Sequence, residues 1–92
     1  MHMNEPKLLY HLRLTASHRP TGNTRHERDG AQLPPPALLR IVQFAEERGY
    51  YLFYCDETGA ELTDTYHDFV EQAMAQANWE FNVKTEDWTR CH

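Results

Sequence analysis

Ninety-two residues with 40% hydrophobic and 12% aromatic content suffice for one small domain with a core and are too apolar for a wholly disordered chain. No apolar run approaches the roughly 18 residues that a membrane-spanning helix needs, and no charged-then-apolar leader opens the chain, so the expected location is the cytoplasm with no membrane partner. The net charge of −5 is unevenly spread: residues 1–36 carry five basic residues against three acids, and residues 37–92 carry four against eleven, an acidity that repels nucleic acid and favours basic partners or plain solubility.

Taken in chain order, the start Met1-His2-Met3 has the look of an expression tag remnant, so His2 is set aside. Residues 7–14 alternate, with Leu8, Tyr10, Leu12 and Leu14 on one side and Leu9, His11 and Arg13 on the other; this is the pattern of a half-buried strand. Residues 15–36 are dominated by Ser, His, Arg, Thr, Gly, Asn and Asp and end on Pro34-Pro35-Pro36. They read as a mobile loop stiffened at its end by polyproline geometry, and loops of that length are uncommon in compact domains. Residues 1–36 are therefore expected to be an appendage, and residues 37–92 the compact domain.

Residues 38–45 fit either a helical face or a strand; Ile41, Val42 and Phe44 favour the strand, with the following Glu-Glu-Arg-Gly as a hairpin turn that places Gly49 at positive φ. Residues 50–55 are an aromatic strand, Asp56-Glu57-Thr58-Gly59 is a turn with Gly59 in the left-handed position, and residues 60–65 return as the second arm. Residues 68–81 carry apolar side chains at helical spacing, with Asp68 as cap and Glu71 as its capping-box partner. Asn82 suits the left-handed residue after the helix, Val83 folds back onto its end, and residues 85–88 form a last turn that docks Trp88; residues 89–92 are expected to fray. The sum is an α+β fold: a small, mostly antiparallel sheet of three to four strands with one helix across one face.

The run from Tyr50 to His67, continued by residues 73–81, Val83 and Trp88, resembles a pattern found in small bacterial proteins of uncharacterised function, some of them similar to immunity proteins that neutralise a toxin. The resemblance spans roughly residues 40–88 and leaves out the loop. It implies an interaction protein and carries no active residues; Asn82 stands where such sequences usually place Gly, which touches only the helix cap.

Three features bear on binding. Trp79 lies about 150° from the centre of the helix's apolar arc, as a binding anchor or as a residue covered by the N-terminal segment. Because one helix covers one sheet face, Tyr50, Leu52 and Tyr54 are expected to present an amphipathic surface to a partner or a second copy, unless an extra strand narrows it. Glu61, Asp64 and His67, with Asp56, Glu57, Asp68 and Glu71 nearby, make an acidic edge for a basic partner protein such as a toxin, or a solvated face of turns and caps.

Catalysis has weaker support. A Cys55–His67 pair with Asp64 nearby invites a nucleophile reading, but Cys55 sits in an apolar strand where thiols are inert, and no glycine-rich turn precedes a helix. His18 and His26, or Cys91 with His92, do not assemble a metal-ligand set, and the arginines of the basic segment lack interleaved aromatics for stacking nucleic acid. The expectation is a non-enzymatic binding module without cofactor or metal; a homodimeric structural or regulatory protein and a small hydrolase using His67 are the alternatives.

Overall fold

The computed structural model describes residues 6–18, 27–28, 31–32 and 35–91. The alternating N-terminal residues form β1 (Lys7–Arg13), and two short strands, β2 (Glu27–Arg28) and β3 (Ala31–Gln32), pair only with each other. β4 (Leu38–Gln43), β5 (Tyr50–Cys55) and β6 (Glu61–His67) follow, then α1 (Val70–Phe81), a 3-10 turn (Thr85–Asp87) and β7 (Thr89–Arg90). Five strands make one antiparallel sheet in the order β6-β5-β4-β1-β7, and α1 packs on one face of it. The α+β class follows as expected, with one strand more than the upper bound of four, and the ambiguous residues 38–45 supply a strand.

The register explains the core. Leu12 opposes Leu39, Ile41 opposes Leu52, and Leu39 opposes Tyr54, so a row of side chains points to one face across three strands. Ala73, Ala77 and Phe81 of α1 close over that row, and Val83 and Trp88 seal its end. Alanines at the contact let the helix axis come close to the sheet, and larger residues flank them.

Several local expectations hold for the physical reasons given. Gly59 has φ +90°, and the Asp56 carboxylate accepts bonds from the Thr58 N–H at 2.9 Å, the Thr58 hydroxyl at 2.6 Å and the Ala60 N–H at 3.0 Å. Asn82 adopts φ 57° and donates its N–H to the Asn78 carbonyl. The Asn78 side-chain amide donates to the Val83 carbonyl at 3.0 Å, which holds Val83 against the helix end.

Others are corrected. β1 is no appendage: it lies between β4 and β7, buries Leu12 in the core, and is followed by a backbone bond from the Leu14 N–H to the Ala37 carbonyl. Residues 89–91 do not fray, because Thr89 and Arg90 pair with His11 and Tyr10, and the Cys91 N–H reaches the Leu9 carbonyl at 2.8 Å. Gly49 has no positive φ; it is needed because a Cβ there would lie 2.1 Å from the Tyr66 hydroxyl oxygen. The helix starts at Val70 rather than at residue 68, and Gln72 caps it by accepting from the N–H groups of Asp68 and Phe69 at 3.0 and 3.3 Å. Within the expected loop 15–36, residues 27–28 and 31–32 pair as strands. The readings that concern His2, Arg19, Arg25, His26 and His92 lie outside the described residues.

Candidate interaction surface

The sheet face opposite α1 is built by the alternate residues of the same strands. Tyr51 opposes Tyr66 and Phe53 opposes Asp64 across β5 and β6, and Tyr51 opposes Val42 across β4 and β5. Phe44, just past β4, completes an aromatic patch centred on Tyr51. Its ring centroid stands 5.5 Å from Phe44, 6.1 Å from Phe53 and 5.1 Å from Tyr66, edge-on to Phe44 and Tyr66. Edge-to-face contacts of this kind add about 0.5–1.5 kcal/mol per pair beyond burial. The patch is therefore preorganised, yet it is not closed over: Tyr66 is 49% exposed, and Leu8, opposite Val42, is exposed at its β1 side.

Carboxylates stand at its rim. Asp64 is exposed on the same face of β6 as Tyr66, and Glu61 is exposed near the start of that strand, opposite Cys55. The Tyr51 hydroxyl donates to Glu47 Oε1 at 3.0 Å. Burial of its ring and the Glu47 carboxylate beside it push the Tyr51 phenol up to about 12, so it remains a neutral donor at any physiological pH. A rigid aromatic patch with exposed carboxylates offers a cation two attractions at once, a ring face and a counter-charge.

On the helix side the chemistry is buried. Glu80 is 2% exposed beneath α1, and the Tyr54 hydroxyl, on a residue 1% exposed, donates to its carboxylate. Burial and the adjacent Glu80 raise the Tyr54 phenol well above its ordinary value. His67, opposite Tyr50 at the end of β6, has Nε2 2.8 Å from the Thr65 hydroxyl, and desolvation lowers its imidazolium below the usual value. Cys55, which alternates with Tyr54 and so shares the face of Tyr51 and Phe53, is also fully buried, and that burial raises its thiol, which makes it a poor nucleophile. Among the described residues, no three or more His, Cys, Asp or Glu side chains stand together as a metal-binding group.

The sequence-derived site residues thus divide. Asp64 and Glu61 lie on the outer face. Tyr50, Leu52 and Tyr54 do not: α1 covers their side of β5, Leu52 is inaccessible, and Tyr50 packs against the core. The expectation that these three line the open face is corrected in favour of Tyr51, Phe53 and Tyr66. Alternation shows that two faces exist but not which one the helix takes. Trp79 is 48% exposed on α1, across the sheet from Asp64 and Tyr66, so it belongs to a different surface. Glu80 was missed as a buried group, although it stands only about 20° from Ala73 on the helical wheel, inside the apolar arc.

No family model matches the chain, and no solved structure matches it. A sequence relative is the general negative regulator of transcription subunit 2 of Schizosaccharomyces pombe, 31% identical over 55 residues. That match covers 60% of this chain and 16% of the yeast protein.

Proposed function

We propose that this protein is a non-enzymatic binding module of the cytoplasm that receives a basic protein partner on the outer face of its sheet. The observation that carries the reading is the half-exposed Tyr66 beside Asp64, on the side of the sheet that α1 leaves open. Aromatic side chains with one wet end are favoured at interfaces, and carboxylates beside them select positive charge. The excess of acids in residues 37–92 steers such a partner over longer distances. A partner of this chemistry includes a toxin with a basic groove, blocked by charge and shape; the yeast relative's description as a subunit is compatible with a role inside an assembly.

The test is capture of a partner from an extract of the source organism, followed by variants. Asp64→Lys with Tyr66→Ser is expected to release the captured protein, while Trp79→Ala retains it. Retention by the double variant together with release by Trp79→Ala would move the site to the helix and end this reading. His67→Ala is expected to leave binding intact, since its ring nitrogen is held by Thr65 on the helix side.

A further inference from the structure

We propose that the helix-side face of the sheet carries a second site, separate from the outer patch, which takes a small-molecule phosphate monoester with a flat apolar body. The site is a cleft of about 330 Å³ where α1 begins, and its lining includes Lys7, Tyr10, Gln43, Tyr50, Val70 and Arg90. That volume lies at the small end of the range for ligand sites.

A bulge in β1 assembles it. Lys7 opposes Gln43 and Tyr10 opposes Ile41, with the register slipping between Leu8 and Tyr10. Gln43 and Ile41 stand two residues apart on β4 and share a face, so Lys7 and Tyr10 share it too, although they are three residues apart. In an unbroken strand that odd spacing would send Lys7 to the outer face; the extra residue turns it inward, as bulges re-aim side chains. Arg90 of β7 opposes Tyr10 and joins the same face, so strands from the two ends of the chain bring two cations to one cleft. The Gln43 amide donates to the Arg48 carbonyl at 2.9 Å, which orients it with a second N–H to offer.

The chemistry of the lining selects the ligand. Arg90 presents a planar fork that matches phosphate oxygens in pairs, and Lys7 adds a point charge. Together they balance a phosphate monoester, which carries roughly two negative charges at pH 7; a carboxylate carries only one. The half-buried Tyr10 and Tyr50 bring hydroxyl donors for the remaining oxygens, and their rings with Val70 form an apolar wall for the body of the ligand. Lys7 also borders the depression that holds Glu47, so Arg90 is the stronger of the two cations here. The net charge of −5 opposes an anion at a distance, but screening confines that repulsion to about 8–10 Å at physiological salt. Inside the cleft Lys7 and Arg90 act directly.

The experiment titrates the nitrogen-15-labelled full chain with phenyl phosphate, inorganic phosphate and benzoate, following the amide signals. Phenyl phosphate is expected to bind with a Kd on the order of millimolar or tighter, as for a fragment-sized ligand, and to shift Lys7, Tyr10, Tyr50 and Arg90. Inorganic phosphate and benzoate are expected to bind more weakly, the first for want of a body and the second for want of charge. Arg90→Gln should weaken phenyl phosphate about tenfold and Lys7→Gln severalfold, as for the loss of a charge-assisted bond. Lys84→Gln, which removes the same charge elsewhere, should leave binding unchanged. The Cys91 amide signal reports whether β7 stays paired in Arg90→Gln; if it does not, Lys7→Gln carries the test. Shifts scattered away from the cleft, no binding at tens of millimolar, or an equal loss in Lys84→Gln would overturn the site. Benzoate binding as tightly as phenyl phosphate would overturn the phosphate class, and inorganic phosphate binding as tightly would overturn the apolar body.

Discussion

Gly49 and Tyr66 show how one residue sets a surface. The Tyr66 hydroxyl occupies the space that a side chain at position 49 would need, so Gly49→Ala must displace the ring. The expected cost is about 1–3 kcal/mol, the range for overpacking a filled site, read as a lower urea midpoint. In a Tyr66→Ala background the same substitution should cost almost nothing, because the obstructing ring is gone; equal costs in both backgrounds would mean that the crowding is not the cause. Tyr54 holds a buried bond. Tyr54→Phe keeps the ring in the core and removes the donor to the Glu80 carboxylate, and a buried charged acceptor that loses a donor costs about 1–3 kcal/mol. A change below about 0.5 kcal/mol in chemical denaturation, the size of a neutral surface substitution, would show that this bond contributes little.

At the scale of elements, sequence order carried the strands and turns where the controlling interactions are local. The Asp56 turn, the left-handed Asn82 and the docking turn before Trp88 each depend on side chains within a few residues of the backbone that they hold, and each was legible. The start of α1 was not, because Asp68 and Gln72 both have cap chemistry and only the chain's path out of β6 decides which one reaches the free N–H groups. Gln72→Ala is therefore expected to cost about 1 kcal/mol and Asp68→Ala little, as for the presence or absence of a helix cap. Asn82→Gly should stabilise by a few tenths of a kcal/mol or more, since glycine adopts the left-handed region without a Cβ penalty. Urea unfolding of the three variants checks both ends of the helix; a larger loss for Asp68→Ala than for Gln72→Ala would contradict the observed cap.

Across the whole molecule, the pairings hardest to read were those between distant residues. β1 showed its alternation plainly, but its place between β4 and β7 depends on partners far along the chain, which no local pattern encodes. The same holds for His18, whose Nε2 lies 3.0 Å from Asp87 Oδ2 and ties the turn after β1 to the turn before β7. Protonation connects these distant contacts to stability. The folded Asp87 carboxyl lies below its ordinary 3.8, chiefly because the Lys84 N–H and then the His18 ring donate to it, so the ionised form is favoured in the fold and that contribution fades as pH drops through the folded value. His67 has the opposite charge and the same direction of loss: its folded value lies below 6.5 through burial, so around pH 6 the unfolded chain binds more protons and stability falls as the solution is acidified. Tyr51 limits the alkaline side, because its folded phenol at about 12 means that only the unfolded chain ionises between about pH 10 and 12 and stability falls as pH rises. The urea midpoint should thus be highest between these limbs. His67→Gln should flatten the decline between pH 7 and 5 while leaving both the lower acid limb and the alkaline limb in place, whereas wild type and variant falling in parallel through that window would show that His67 is not the group responsible.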